Sequence, residues 1–317
     1  MSDRRDSEGP AAGPARRCLR AWAKVNLYLH VTGRRPDGYH ELDSLIAFAG
    51  IGDRVEVSAA DGLDLRVTGP GAAAVPGDEE NLAHRAARAL AQALTEVGRP
   101  PGGARIDLEK HLPVAAGLGG GSADAAAVLS GLAALWQAEL PTAKLQEIAL
   151  GLGADLPVCL FGRPAFVGGI GEVIERAPPL PPAWLVMVNP GVALATAEVF
   201  AARQGAFSEP GRWADTVSDL PALAERLAAL GNDLETPARA LAPEVDEALG
   251  LIGRLSAVRL TRMSGSGTTC FGLFAERDEA QAAAAALTAE RPDWWVQVAA
   301  LLHGPLDRLR APATAAP

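Results

Sequence analysis

The stretch best equipped for chemistry is PVAAGLGGGSADAA, residues 113–126. Gly117, Gly119, Gly120 and Gly121 lack Cβ atoms, so consecutive backbone N–H groups can close around an oxyanion. Ser122 then opens a helix whose N-terminus carries partial positive charge. Phosphate is the natural occupant. The loop departs from two commoner phosphate patterns: no Lys follows its last Gly, as GxxxxGK[ST] requires, and Ser122 stands where GxGxxG ends in Gly. A glycine run also serves as a flexible loop, but a place between a strand and an Ala-rich helix favours anion binding.

Two kinds of charged group stand out beside that loop. Lysine occurs only at Lys24, Lys110 and Lys144, among 29 Lys and Arg in all, so each retained lysine points to a position that needs a compact ammonium. Lys24 and Lys110 are equally readable as solvated strand ends. Asp155, in GADLP, offers a carboxylate for proton transfer, and is also placed to cap a helix with Pro157 in its first turn. Asn26 lies two residues beyond Lys24 and so shares its strand face. The only tyrosines are Tyr28 and Tyr39; Tyr39, in the turn DGYH (37–40) with His40, offers an aromatic face next to a donor/acceptor ring, a grip suited to a nucleobase. Packing over the sheet edge is the plainer reading of that tyrosine.

These groups have to be carried by strands and helices. Alternating apolar runs predict strands in LRAWAKVNLYLHV, SLIAFAGIGDRVEVSAA and DLRVTG, separated by RRPDGYH and AADG. Residues 78–97 place Leu82, Ala86, Leu90 and Leu94 on one helical face, with acids expected in the first turn. ARIDLEKHLP is a strand entering the glycine loop, SADAAAVLSGLAALWQAEL a helix leaving it, and TAKLQEIALGLG a further helix. The proline-dense APPLPPAW marks a domain boundary near Ala177. Beyond it come a strand (WLVMVNPG) and helices in ATAEVFAARQ, SDLPALAERLAAL and PEVDEALGLIGRL. Strand VRLTRM, turn SGSG, strand TTCFGLF, helix DEAQAAAAALTAERP and strand WWVQVAAL complete the order. The mixture predicts an α+β sandwich with helices over one sheet face.

Composition limits the function classes. With 317 residues, 49% hydrophobic and 21% charged, the chain is an ordinary globular protein with room for two domains at roughly 100–200 residues each. A net charge of −9 argues against a general nucleic-acid or anionic-membrane binder, so an anionic ligand needs a local positive device. Cys18, Cys159 and Cys270 are too scattered for a disulfide framework, and no spacing suggests zinc. The start has no apolar signal core and no stretch is long enough to span a membrane, so a cytoplasmic location is expected. Residues 1–17 and 304–317 read as flexible tails.

The glycine loop resembles the second motif of the GHMP kinases, whose members include galactokinase, homoserine kinase, mevalonate kinase and phosphomevalonate kinase. AKVNLYLHVTGRRPDGYHEL (23–42) and GADLPVCLFGRPAFVGGIGE (153–172) are similar to one branch, the 4-diphosphocytidyl-2-C-methyl-D-erythritol kinases of the non-mevalonate isoprenoid (MEP) pathway. RMSGSGTTCFG (262–272) resembles the family's third glycine motif. The likeness runs from about Leu19 to about Leu301, with small departures at Ala123, Leu156, Val158 and Cys159.

That resemblance implies the two-domain GHMP kinase fold. A ribosomal-protein-S5-domain-2-like domain would span 18–177 and a ferredoxin-like α/β sandwich domain 178–303. It implies ATP-dependent transfer to the 2-hydroxyl of 4-diphosphocytidyl-2-C-methyl-D-erythritol, with Lys24 and Asp155 catalytic across that hydroxyl. Tyr39 would stack on cytosine, His40 would read its edge, and Asn26, Thr196 and Phe200 would complete the acceptor site, though Phe200 also fits a helix's apolar stripe. For ATP it implies Asn81, Leu82, Lys110, Pro113, Val114, Ala115, Ala116, Gly117, Leu118, Gly119, Gly120, Gly121, Ser122 and Ala123. The 264–267 turn would brace the site. Magnesium is expected with ATP, held chiefly by phosphates and water, with Ser122 the one protein ligand offered. Other partners are not expected: no nucleic acid, no membrane, and a monomer or homodimer. Two alternatives stay open here: a GHMP kinase for another alcohol, of homoserine or mevalonate type, and a nucleotide-binding regulator that has lost transfer.

Overall fold

The computed structural model describes residues 16–75 and 79–306. The expected tails therefore lie outside the described residues, apart from their inner ends. Arg16 and Arg17 open the first strand, and the Leu306 N–H donates to the Gly162 carbonyl at 2.8 Å, so residues 304–306 lie back on the N-terminal half.

Two long strands, β1 (Arg16–Arg34) and β2 (His40–Ala60), form one antiparallel hairpin. Each is longer than the apolar runs predict, because pairing continues through the polar ends up to Arg34↔His40. Only residues 35–39 are left as the turn. There the Arg35 N–H donates to Tyr39 O at 2.7 Å and the Tyr39 N–H to Asp37 Oδ1 at 3.2 Å. β3 (Leu63–Thr68) follows, then α1 (Leu82–Glu96), β4 (Gly103–Glu109) and α2 (Gly120–Leu135). α1 starts at the first residue of its apolar period, Leu82, later than the expected residue 78. The Asn81 side chain accepts from the Ala83 N–H at 2.9 Å and caps the helix, which leaves no acid in the first turn. The expected start at residue 78 lies outside the described residues.

After α3 (Thr142–Leu152) come three short elements that periodicity misses: α4 (Leu156–Phe161), β5 (Ala165–Gly169) and β6 (Val173–Arg176). They are too short to show a period. The second half contains β7 (Trp184–Asn189), α5 (Thr196–Ala202), α6 (Leu220–Ala228), α7 (Glu235–Leu241) and α8 (Pro243–Gly253). β8 (Leu260–Met263), β9 (Cys270–Phe274), α9 (Arg277–Glu290) and β10 (Trp295–Leu302) complete it. α7 is also absent from the sequence reading.

The strands join in one sheet of order β3-β4-β2-β10-β7-β9-β8, with β1 and β5 also paired to β2. β10 is the link, pairing with β7 along its length and with β2 at Leu301↔Ala49 and Leu302↔Phe48. The expected cut near Ala177 falls between β6 and β7, and the sheet bridges it.

Alternation along two strands shows how the layers stack. In β2, Ile46 and Phe48 face the core formed with α1–α4, whereas Leu45, Ala47 and Ala49 face a second cluster. In β7, Leu185 and Met187 enter that same second cluster, and Val186 and Val188 enter a third, with α5, α7, α8 and α9. Each half of the sheet thus has its own helical cover on one face. The other faces share a cluster that also takes α6 through Leu220, Leu223 and Leu227. The expected mixture of α and β layers is therefore present.

Candidate active site

The glycine loop and the start of α2 line a cavity of about 400 Å³ that also contains Lys24, Asn26, Asp155, Thr196 and Phe200. Groups from both halves of the sequence are brought together there. A larger cleft of about 1010 Å³ lies beside Trp22, Ile51 and Leu302, but it includes neither the loop nor the Lys24–Asp155 pair.

Two lysines press against consecutive glycines of the loop. A Cβ on Gly119 would lie 2.6 Å from Lys24 Cγ, and one on Gly120 would lie 3.1 Å from Lys110 Nζ. Gly119 also has φ +59, a left-handed conformation that other L residues adopt only at a cost of roughly 1–2 kcal/mol. The glycines therefore do two jobs. They free the backbone amides at the head of α2 and let two ammonium groups approach its first turn.

Lys24 is 3% exposed, and its ammonium lies 3.3 Å from the Asp155 carboxylate and 2.6 Å from Asn26 Oδ1. The backbone fixes it further, since the Lys24 N–H donates to Leu118 O at 3.0 Å. Asp155 occupies the cap position of α4, yet its side chain makes no capping hydrogen bond. Geometry thus separates the two readings of this residue: its carboxylate, 41% exposed, turns to Lys24 and the cavity.

A chain of hydrogen bonds orients that ammonium. Asn26 Nδ2 donates to Ser44 Oγ at 2.9 Å, and Ser44 Oγ donates to Tyr28 O at 2.5 Å, which leaves Asn26 Oδ1 facing Lys24. The 264–267 turn braces from the other side. Ser264 Oγ accepts from the Asn26 N–H at 3.2 Å and donates to Gly117 O at 3.0 Å, joining the first and second motifs. Ser44, Gly265 and Ser266 line the cavity too. Ser44 was missed because its signal is pairing across the hairpin, which spacing along one strand does not encode.

At the far end of the cavity, Thr196 Oγ1 lies 2.8 Å from Ser266 Oγ, and the Phe200 ring stacks on His40 with centroids 5.0 Å apart. Tyr39 is 62% exposed at the tip of the hairpin. It is not part of the cavity wall. Burial, together with the Arg34 and Arg203 guanidinium groups, holds the His40 imidazole below the usual histidine range.

Several expected nucleotide contacts lie elsewhere, and Lys110 is the main correction. It is 3% exposed, and its ammonium is shared between Asp53 and Asp124, the latter at 2.8 Å. Asp53 Oδ1 also accepts from the His111 and Leu112 N–H groups, at 2.5 and 2.8 Å. Burial would depress the Lys110 ammonium, but the two carboxylates outweigh it and hold the group charged. Burial pushes the Asp124 carboxyl upward, with Lys110 opposing and Asp53 adding to the shift. Lys110 thus braces the head of α2 from behind and does not reach the cavity wall. Asn81 is turned to its capping role, while Leu82 lines the cavity. Of the loop residues, Ala115, Ala116, Gly117 and Gly119–Ser122 face the cavity. Leu118 and Ala123 are buried, and Val114 is exposed outside it.

Comparison with known proteins agrees with this geometry. The family described as GHMP kinases N terminal domain matches residues 81–163, and that described as GHMP kinases C terminal matches 216–293. The chain is 55% identical over 284 residues to the 4-diphosphocytidyl-2-C-methyl-D-erythritol kinase of Paramagnetospirillum magneticum, covering 90% of this chain and 98% of that one. It is 54% identical over 282 residues to the enzyme of that name from Cereibacter sphaeroides, covering 88% and 97%. A crystal structure of 4-(cytidine 5'-diphospho)-2C-methyl-D-erythritol kinase superposes with a TM-score of 0.72 at 40% identity, over 92% of this chain and all of that one. Homoserine kinase from Cytophaga hutchinsonii, at 16% identity and a TM-score of 0.64, shares the fold.

Proposed function

The chain belongs to the GHMP kinases, in the 4-diphosphocytidyl-2-C-methyl-D-erythritol kinase branch, and from that premise we infer that it transfers the γ-phosphoryl group of ATP to the 2-hydroxyl of 4-diphosphocytidyl-2-C-methyl-D-erythritol. The products are the 2-phosphate and ADP, one step of the MEP route to isoprenoid precursors. The observation that carries the mechanism is the Lys24–Asp155 pair, 3.3 Å apart and beside the head of α2.

Phosphoryl transfer needs an aligned acceptor, neutralised charge and a group to take the hydroxyl proton. The triphosphate rests on the amides of residues 119–122 at the N-terminus of α2, where the helix dipole favours anions. The acceptor hydroxyl sits between Asp155 and Lys24. Asp155 takes its proton as the oxygen attacks, and the Lys24 ammonium steadies the negative charge that gathers on the transferring group. Asn26 keeps the ammonium aimed. Thr196 and Phe200 hold the acceptor, with Tyr39 closing over cytosine and His40 reading its edge.

Ser122, third in α2 and on the cavity wall, supplies a hard oxygen donor that suits Mg2+. Among the described residues no group of three His, Cys, Asp or Glu is placed to hold a metal, so phosphates and water complete such a site. The ion's contribution is to neutralise phosphate charge. No helix among the described residues is long and apolar enough to cross a membrane, and the free thiols of Cys18, Cys159 and Cys270 support a reducing, cytoplasmic setting.

The test is ADP release by the purified protein against a panel of cytidylated and free alcohols. Release confined to the cytidylated methylerythritol is expected. Release with homoserine or mevalonate instead would replace the acceptor assignment, and no release with any alcohol would leave a nucleotide-binding protein without transfer.

A further inference from the structure

Between α6 and α7 the chain runs Gly231–Asn232–Asp233–Leu234, and this short stretch touches three separately built parts of the acceptor end. It lies alongside β1 in parallel, bridging Asn232 to Leu29, with Leu29 N–H to Gly231 O at 3.0 Å and Asp233 N–H to Leu29 O at 2.8 Å.

Asn232 is 8% exposed, and its amide is fully used. Nδ2 donates to Met263 O and to Gly265 O, both at 2.8 Å, and Oδ1 accepts from the Leu234 N–H at 2.9 Å. The first of those carbonyls precedes the 264–267 turn and the second lies within it. Gly265, with φ +59, packs close to the Lys24 ammonium: a Cβ there would lie 3.2 Å from Lys24 Nζ and 3.4 Å from Asn26 Oδ1. Asn232 therefore sets how close the third glycine motif comes to Lys24.

Asp233 works on the opposite side. Oδ2 accepts from the Val31 N–H at 2.7 Å, and Oδ1 accepts from Ser208 Oγ at 3.0 Å. The Arg203 guanidinium lies 3.7 Å from Oδ2. Arg203 is the residue that ends α5, the helix carrying Thr196 and Phe200. One dipeptide thus fastens the catalytic strand, the third glycine turn and the acceptor helix to one another.

We propose that Asn232 and Asp233 are positioning residues for phosphoryl transfer, Asn232 fixing the 264–267 turn against Lys24 and Asp233 fixing α5 for the acceptor. The assignment rests on the kinase reading above. An aspartate cannot replace Asn232, because a carboxylate would face two carbonyl oxygens with no proton to offer either. Asp233→Asn, by contrast, keeps an amide oxygen for the Val31 N–H, reverses the Ser208 contact so that the amide N–H donates to Oγ, and loses the ionic tie to Arg203.

The experiment compares wild type with Asn232→Asp, Asn232→Ala and Asp233→Asn. It measures kcat, the KM for each substrate, ADP affinity by calorimetry and thermal midpoint. Displacement of a reacting group by about an ångström costs on the order of 10²-fold in rate. A kcat loss of that order is expected in both Asn232 variants, with ADP affinity retained. Asp233→Asn is expected to raise the acceptor KM with kcat and thermal midpoint near wild type. Wild-type kcat in a folded Asn232→Asp, or an unchanged acceptor KM in Asp233→Asn, would overturn the proposal. Should both Asn232 variants fail to fold, Asp233→Asn decides alone. A crystal structure of Asn232→Asp reads the position of the turn independently of turnover. A turn that has moved away from Lys24 supports the proposal even if wild type releases no ADP, an outcome that would sink only the kinase reading, and an unmoved turn refutes it.

Discussion

The Lys24 ammonium stands 3.3 Å from the Asp155 carboxylate, while the stem of the same lysine fills the space that Gly119 leaves by lacking a side chain. The glycine loop and the Lys24–Asp155 pair are therefore one packed unit. A change in either is felt by the other.

Asp155→Asn removes the proton acceptor and leaves the shape intact. Loss of a positioned base costs about 10²–10⁴-fold, so kcat is expected to fall by that range with an unchanged circular dichroism spectrum. Lys24→Met keeps the stem against Gly119, and its kcat should fall comparably. Near-normal turnover of either folded variant would contradict the mechanism.

Gly119→Ala places a methyl group 2.6 Å from Lys24 Cγ and forces a left-handed φ on alanine. The conformational part alone costs roughly 1–2 kcal/mol. A lower thermal midpoint together with a fall in kcat is expected, since the ammonium must move. A variant that loses stability but keeps full kcat would show that Lys24 does not depend on the loop for its position.

Lys110→Met strands the buried Asp53 and Asp124 carboxylates without their cation. Breaking a buried ion pair from one side costs about 3–5 kcal/mol, and urea unfolding should register a loss of that order. Adding Asp53→Asn to Lys110→Met should restore part of it. If Lys110→Met raised the KM for ATP without any loss of stability, the direct nucleotide contact suggested by the sequence would stand after all.

Tyr39, 62% exposed at the hairpin tip, is predicted to serve the acceptor and contribute little to the fold. Tyr39→Ala should raise the KM for the cytidylated acceptor several-fold, leaving the KM for ATP and the thermal midpoint near wild type, because one base–aromatic stack is worth ~1–3 kcal/mol. Equal acceptor affinity in the two proteins would favour a GHMP kinase for another alcohol.

His40 gives a pH dependence whose direction is fixed. Burial, together with Arg34 and Arg203, holds its pKa below the usual histidine range, so the neutral ring, with one acceptor nitrogen, persists to lower pH than in an ordinary histidine. As pH falls through the lowered pKa, the ring gains a proton and loses that acceptor. The acceptor's kcat/KM should therefore be flat with respect to this group through the usual histidine range and decline only at lower pH. His40→Gln should remove that limb of the profile, and an identical profile in the variant would exclude His40 from acceptor recognition.

Local order was legible in the sequence wherever a residue type alone dictates it. The glycine loop between a strand and an apolar helix, and the helical periods over 78–97 and 122–140, which the structure bounds at 82–96 and 120–135, follow from propensity and patterning. The short elements β5, β6 and α7 were not legible, since four to seven residues carry too little period, and of α4 only its start at Asp155 and Pro157 was.

The tertiary structure decided which groups meet. Lys24 and Lys110 look alike as lysines near strand ends, yet hairpin register turns one into the cavity and the packing of α2 on β2 and β4 buries the other between two carboxylates. The roles of Ser44, Gly265 and Asn232 likewise depend on partners distant in sequence. Residue spacing encodes which face of an element a side chain occupies. What stands opposite that face is set by sheet register and by close packing of the whole chain.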